Sequence, residues 1–164
     1  MSLGPAIAPS LRMTLGYAEE IVRTIPADRF SHMPCADMNS PAFCIGHLAI
    51  YASRAGEAMG VKIAPAPSAW MDLFKNGAPC VDKAGHYPAK DVLMTEFMRG
   101  WSEVAEALPS VPDATFAAPN PVASLAQRLP TTGALLTFLC LAHNMVHLGQ
   151  VSAWRRVVGL GSAM

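Results

Sequence analysis

Apolar residues recur at intervals of three and four along four long stretches of the chain, the spacing that gathers them on one face of an α-helix. The first stretch follows Ser10, a capping residue, and carries Leu11, Leu15, Ala18, Ile21 or Val22 and Ile25 before Pro26 stops it. The second opens on Ser40-Pro41, an N-cap with proline at the first helical position, and extends to Met59 with Gly60 beyond its end. Its inner stripe takes in Phe43, Cys44, His47, Tyr51, Ala55 and Ala58. The third starts near Pro88 and closes at Pro109, with Val92, Leu93, Glu96, Phe97, Trp101 and Val104 on its inward side. The fourth begins near Thr131 or Thr132 and ends before Gly159; its stripe is Leu136, Cys140, His143, His147, Gln150 or Val151, and Trp154.

The segments between them lack this period. Asp28 to Asn39 reads as a connection. Val61 to Pro88 holds four prolines around one apolar knot, Ser68 to Phe74, which predicts a short helix inside a long loop. Residues 109–130 contain five prolines and predict an irregular crossing. Almost no alternating β pattern and no internal repeat are present. The expectation is an all-α four-helix bundle, one domain over residues 1–164, with long connections between helices two and three and between three and four.

Composition supports a large core: 52% of the 164 residues are hydrophobic, 15% are charged, and ten methionines add apolar volume. Twelve basic residues balance twelve acidic ones, so no cationic field of the kind that neutralises phosphates is expected, and nucleic acid is not an expected partner. The N-terminus lacks the basic region and apolar core of a signal peptide, and the uninterrupted apolar runs fall short of about 18 residues. A soluble cytoplasmic protein without a membrane partner is expected. Its four cysteines, Cys35, Cys44, Cys80 and Cys140, show no Cys-x-x-Cys pair and are read as reduced thiols.

Candidate chemistry lies in three histidines. His143 and His147, four apart, share one helical face about one turn apart, and that face is the apolar one. His47 points inward from the second helix. Three neutral imidazoles buried without partners would cost about 1–3 kcal/mol for each unsatisfied group, whereas one ion satisfies all three. Imidazole suits zinc, nickel, copper or iron, and three protein ligands leave a coordination position open, as in reactive zinc sites. A metalloprotease would need glutamate where Asn144 stands, and a di-iron bundle would need Glu-x-x-His pairs that the chain lacks. Cys44 and Cys140, each three residues before a histidine, make a closed Cys/His zinc site conceivable, although all five groups would exceed a tetrahedral shell. Gln150 is placed to reach the same cavity or to pack beside Gly149 at a close helix approach. Tyr51 and Arg54 could approach a ligand, with an ordinary ion pair as the plainer role for Arg54. His32 and His86 fall in connections and are expected to be solvated.

Pro41-Ala42-Phe43-Cys44-Ile45-Gly46-His47-Leu48-Ala49 resembles the HPAW-x-x-GHLA opening of helix two in DinB-like (YfiT-like) proteins. His143-x-x-x-His147-Leu-Gly-Gln150, followed by Arg155-Arg156 and Gly159, resembles their last helix, and Trp70, Phe74, Gly77 and Tyr87-Pro88 resemble their middle. The resemblance covers nearly the whole chain. It implies a four-helix bundle, a homodimer, and one divalent metal ion, nickel or zinc, held by histidines that map onto His47, His143 and His147. It also implies chemistry on small molecules with low-molecular-weight thiols such as mycothiol or bacillithiol. The chain departs from the family at Cys44, where tryptophan is frequent, and lacks the histidine or glutamate often found between the two ligands of the last helix, so no proton-transfer role is carried over from those neighbours.

These readings together predict a metal-dependent enzyme that transfers a thiol to a small electrophile. A metal-dependent hydrolase and a non-catalytic, metal-stabilised stress or binding module are the alternatives.

Overall fold

The computed structural model describes residues 2–163. The chain is all-helical: among the described residues no β-strand occurs, only one isolated bridge between Pro119 and Thr131. The first helix, α1, is Leu3–Arg23. It starts well before the expected cap, leaving Ser10 in its middle and Pro9 inside it. Pro9 lies on the solvent face, while Gly4, Ile7, Ala8 and Leu11 extend the buried stripe toward the N-terminus. Burial of that extra turn outweighs the hydrogen bond that Pro9 cannot donate. The helix start presses on the end of the third long helix, where a Cβ added at Gly4 would meet the Leu108 carbonyl oxygen at 1.9 Å.

The second stretch begins as expected: the Ser40 hydroxyl accepts from the Phe43 N–H at 3.2 Å. It is divided, however, into α2 (Pro41–Ala49) and α3 (Ala52–Met59), closed by Gly60 at φ 71°. The division has a visible cause. The Leu48 carbonyl, which an unbroken helix would offer to Ala52, accepts instead from the Trp101 indole at 3.0 Å and from the Tyr51 N–H at 3.2 Å.

The apolar knot forms α4 (Trp70–Phe74), and the third long stretch is α5 (Lys90–Ala107). Its buried line is Leu93, Phe97, Gly100, Trp101 and Val104. Two residues assigned to that side lie elsewhere. Val92 is 48% exposed, and Glu96 is drawn to the flank of the helix by Arg99, which also reaches Glu103 at 2.8 Å and the Ala64 carbonyl. The proline-rich crossing contains two short helices, α6 (Asp113–Ala117) and α7 (Ala123–Ala126).

The last stretch is α8 (Thr132–Thr137), a π-helical turn (Phe138–His143) and α9 (Asn144–Val157), running without interruption. The Thr131 hydroxyl caps it by accepting from the Ala134 N–H. Its apolar runs are interrupted as expected, yet by length and mean composition alone this 26-residue helix is long and apolar enough to cross a membrane, with an 18-residue window of mean hydropathy 1.3. It lies against α1 and α2, and along that contact Leu136, Cys140, Asn144, Leu148, Val151, Trp154 and Arg155 are buried. Helix α2 packs on α5 and α9, and α1 packs on the same two.

Candidate metal centre

His47 sits near the end of α2 and is 5% exposed. Its Nδ1 lies 2.6 Å from the carbonyl oxygen of Phe74, the last residue of α4. Because a carbonyl only accepts, Nδ1 carries the proton and Nε2 keeps its lone pair facing inward. The preceding residue makes this contact possible: a Cβ on Gly46 would fall 2.3 Å from the Phe74 ring. The glycine lets α4 close over α2 and brings the carbonyl to the imidazole.

His143 ends the π-helical turn and His147 follows one turn along α9. The Nε2 atoms of His47 and His143 are 3.1 Å apart, and one nitrogen from each of the three rings lies within 4.8 Å of the other two. The rings therefore face one another across α2 and the last helix, with centroids 5.1, 4.5 and 5.0 Å apart. Burial and mutual repulsion keep them neutral. The His143 pKa is pushed down to about 3 by burial and then by His147 and His47. That of His147 falls to about 4 through burial and His47, with Gln150 acting in the opposite sense. Burial lowers His47 too, against a smaller effect of the Phe74 carbonyl. The Nδ1 atoms of His143 and His147 are buried and have no hydrogen-bond partner among the described residues. Three neutral imidazoles with unused lone pairs are a donor set that can hold a metal ion.

Asn144, where a protease would carry its general base, has a different part. It is fully buried, and its Nδ2 donates to the carbonyls of Leu139 at 2.9 Å and Cys140 at 3.3 Å, inside the π-helical turn. A π turn displaces carbonyls from the regular ladder, and the amide gives two of them a donor. The turn that ends on His143 is thus pinned by the very next residue. Neither this turn nor the part played by Asn144 was foreseen; a buried-face asparagine within an apolar helix was the available signal.

The other sequence candidates divide. Tyr51 stands with its ring 4.9 Å from that of His47 and 5.0 Å from that of His143. The Arg54 guanidinium lies 5.0 Å above the Tyr51 ring and, contrary to its plainer expected role, has no ion-pair partner among the described residues. Gln150 stands behind the histidines rather than in the cavity wall: its Oε1 accepts from Asn39 at 3.1 Å and from the Cys44 thiol at 3.4 Å, and its side chain also acts on His147. Gly149 marks no close approach, since a Cβ there would meet nothing within 4 Å. Cys44 and Cys140 are buried free thiols that do not join the cluster, and burial pushes both pKa values up, that of Cys140 to about 12. The closed Cys/His arrangement is therefore not formed. His32 pairs with Asp82 at 3.2 Å and His86 rests on Tyr87; both are partly open to solvent and lie outside the cluster.

The three imidazoles form part of the wall of a cavity of about 570 Å³, together with Phe43, Tyr51, Arg54, Lys75, Asn76, Leu125 and Phe138. Asn39, Lys75, Asn76 and Ser124 are polar wall residues that the sequence did not single out. They come from connections whose course no periodicity encodes.

No curated protein and no solved structure matches the chain. The family model that does match, over residues 10–151, is that of the DinB superfamily, and this all-helical chain with its three convergent histidines belongs to that superfamily.

Proposed function

We propose that the chain is a metal-dependent enzyme in which His47, His143 and His147 hold one divalent ion, nickel or zinc, and that it transfers a low-molecular-weight thiol to a small electrophile. The observation that carries this reading is the convergence of three neutral imidazoles on the wall of a cavity, with no fourth His, Cys, Asp or Glu joining them among the described residues. A closed structural site would complete its shell from the protein; this one leaves room for a small molecule. Bound there, a divalent ion lowers the pKa of a coordinating thiol or water, so that a nucleophile is available at neutral pH. The chain's own residues hold the geometry. The Phe74 carbonyl fixes the His47 tautomer, Asn144 fixes the turn that ends on His143, and Phe43, Leu125 and Phe138 give the cavity apolar walls.

Elemental analysis of protein purified without chelator or nickel resin is expected to find about one ion per chain, and turnover is expected with cellular thiols against a small chromogenic electrophile. Protein that neither carries nor takes up an ion ends the proposal. Turnover with water alone would favour the hydrolase reading. His143→Ala separates catalysis from a non-catalytic module: lost turnover with the fold kept supports the enzyme, whereas a large fall in melting temperature without any activity to lose supports a stabilising ion.

The wider expectations enter on the same footing. We read α2 and α3 as one interrupted arm, which with α1, α5 and the last helix makes a single-domain four-helix bundle. A homodimer is supported by apolar side chains facing outward, Met13 on α1 and Met145 and Val146 on α9, at 79%, 43% and 59% exposure. Four free cysteines support a reducing compartment, the cytoplasm. Balanced charge supports small molecules rather than nucleic acid as partners, and the buried contact of the last helix with α1 and α2 supports a place in the protein core rather than in a membrane.

A further inference from the structure

The wall of the cavity over the histidines holds two cations, Arg54 and Lys75, and no aspartate or glutamate among the described residues. In a chain with as many acidic as basic residues this is a local excess of positive charge, and any ion held by the histidines would add to it. The two cations are not equivalent. Lys75 is engaged by Asp72 at 2.8 Å, a residue that is not part of the wall. Arg54 forms no ion pair among the described residues, although Glu57, three residues further along α3, lines the neighbouring groove with it; its guanidinium lies 5.0 Å from the centre of the Tyr51 ring, which in turn lies against His47 and His143. With no carboxylate inside ion-pair distance, its N–H groups are available to bind a carboxylate through two parallel hydrogen bonds.

We infer that this cavity binds a small molecule bearing a carboxylate, which Arg54 grips one aromatic ring away from the three histidines. One uncompensated cation matches a monoanionic group better than a doubly charged phosphate. The neutral donors of the wall, Asn39, Asn76 and Ser124, suit the remaining polar atoms of such a ligand. The inference names the substrate class for the site proposed above and rests on that reading for the chemistry. The charge argument stands apart from it.

The test uses calorimetry with two probes that differ in one group, 3-mercaptopropionate and its neutral amide 3-mercaptopropionamide, and the metal content of each preparation is measured alongside. For the wild-type chain the carboxylate is expected to bind about ten-fold more tightly than the amide. Arg54→Gln is expected to abolish that preference and leave the amide's affinity unchanged. Arg54→Lys, which keeps the charge and loses the fork, is expected to retain part of the preference, and Lys75→Gln nearly all of it. Arg54 is exposed, so these variants are expected to fold. No preference in the wild-type chain, or no measurable binding of the carboxylate, overturns the inference. So does a preference that survives Arg54→Gln, since the carboxylate is then held by another group. Protein that neither carries nor takes up metal yet shows the Arg54-dependent preference removes the metal reading and leaves the anion site standing; a metal-loaded one without the preference does the reverse.

Discussion

At the scale of single residues, the site depends on what stands beside each histidine as much as on the histidine. Gly46 leaves the gap through which Phe74 reaches His47. Gly46→Ala would drive a methyl group into a buried ring, at a cost of about 1–3 kcal/mol. It is also expected to displace the carbonyl that fixes the tautomer, weakening metal binding by about 10–100-fold. Melting temperature and metal titration read the two effects separately; a destabilised variant with full metal affinity would show that the carbonyl does not set the ligand. The three imidazoles also make stability depend on pH in a known sense. In the unfolded chain His143 and His147 take up protons near their ordinary value of 6.5, in the folded chain only near 3 and 4. Between those values the unfolded state binds more protons. Stability of the metal-free protein is therefore expected to fall as pH drops from 6.5 toward 4, by up to about 1.4 kcal/mol per pH unit for each proton, and to be insensitive to these groups above 6.5. Denaturation curves across that range give the slope, and a flat profile would mean that the rings are solvated.

At the scale of elements, the deciding feature is the π-helical turn in the last helix. Spacing alone puts His143 and His147 on one face, but the wide turn before them changes how that face continues from the Leu136 and Cys140 side of the helix. Asn144 makes the turn affordable by bonding the Leu139 and Cys140 carbonyls. Asn144→Leu keeps the bulk and removes the donor, but also removes the Asn144 Oδ1, which is buried without a partner, so a net loss of only about 1 kcal/mol is expected. The turn is then expected to relax toward regular helix and His143 to swing relative to His47. A Co²⁺-loaded sample reports this directly, because its visible spectrum follows ligand geometry; an unchanged spectrum would show that the turn holds without the amide. The break between α2 and α3 arises in the same way, from the Trp101 indole taking a carbonyl that the helix would otherwise use.

At the scale of the whole molecule, the last helix is tied to the first by Arg155, a 3% exposed arginine with no acidic partner within ion-pair distance among the described residues. Its Nη1 donates to the Ile21 carbonyl and to the Thr24 hydroxyl, both at 2.8 Å, where α1 runs out of helical donors for its final carbonyls. Arg155→Met retains the apolar stem and drops those bonds, an expected loss of about 2–3 kcal/mol. Metal affinity is expected to stay the same, since none of the three histidines touches this staple; a parallel loss would mean that the end of the bundle and the site are coupled.

The sequence by itself determined the helical class, the cap at Ser40, the start of the last helix near Thr131 or Thr132, a short helix within Ser68 to Phe74 and the three inward histidines. Each of these is local or periodic: a cap needs one side chain and one N–H a few residues on, and a stripe needs only the 3.6-residue repeat. Only the tertiary structure decided where α1 begins, where the second arm breaks and why the last helix widens. It also decided that Gln150 lies outside the cavity wall, bonded to Asn39, while Arg54 is part of that wall and forms no ion pair among the described residues. Those outcomes depend on partners far along the chain, such as Leu108 against Gly4, Trp101 on Leu48 and Asn39 on Gln150. A local pattern says which face a residue occupies. What that face meets is set by packing between distant segments, and at this site packing chose which neighbours the three histidines keep.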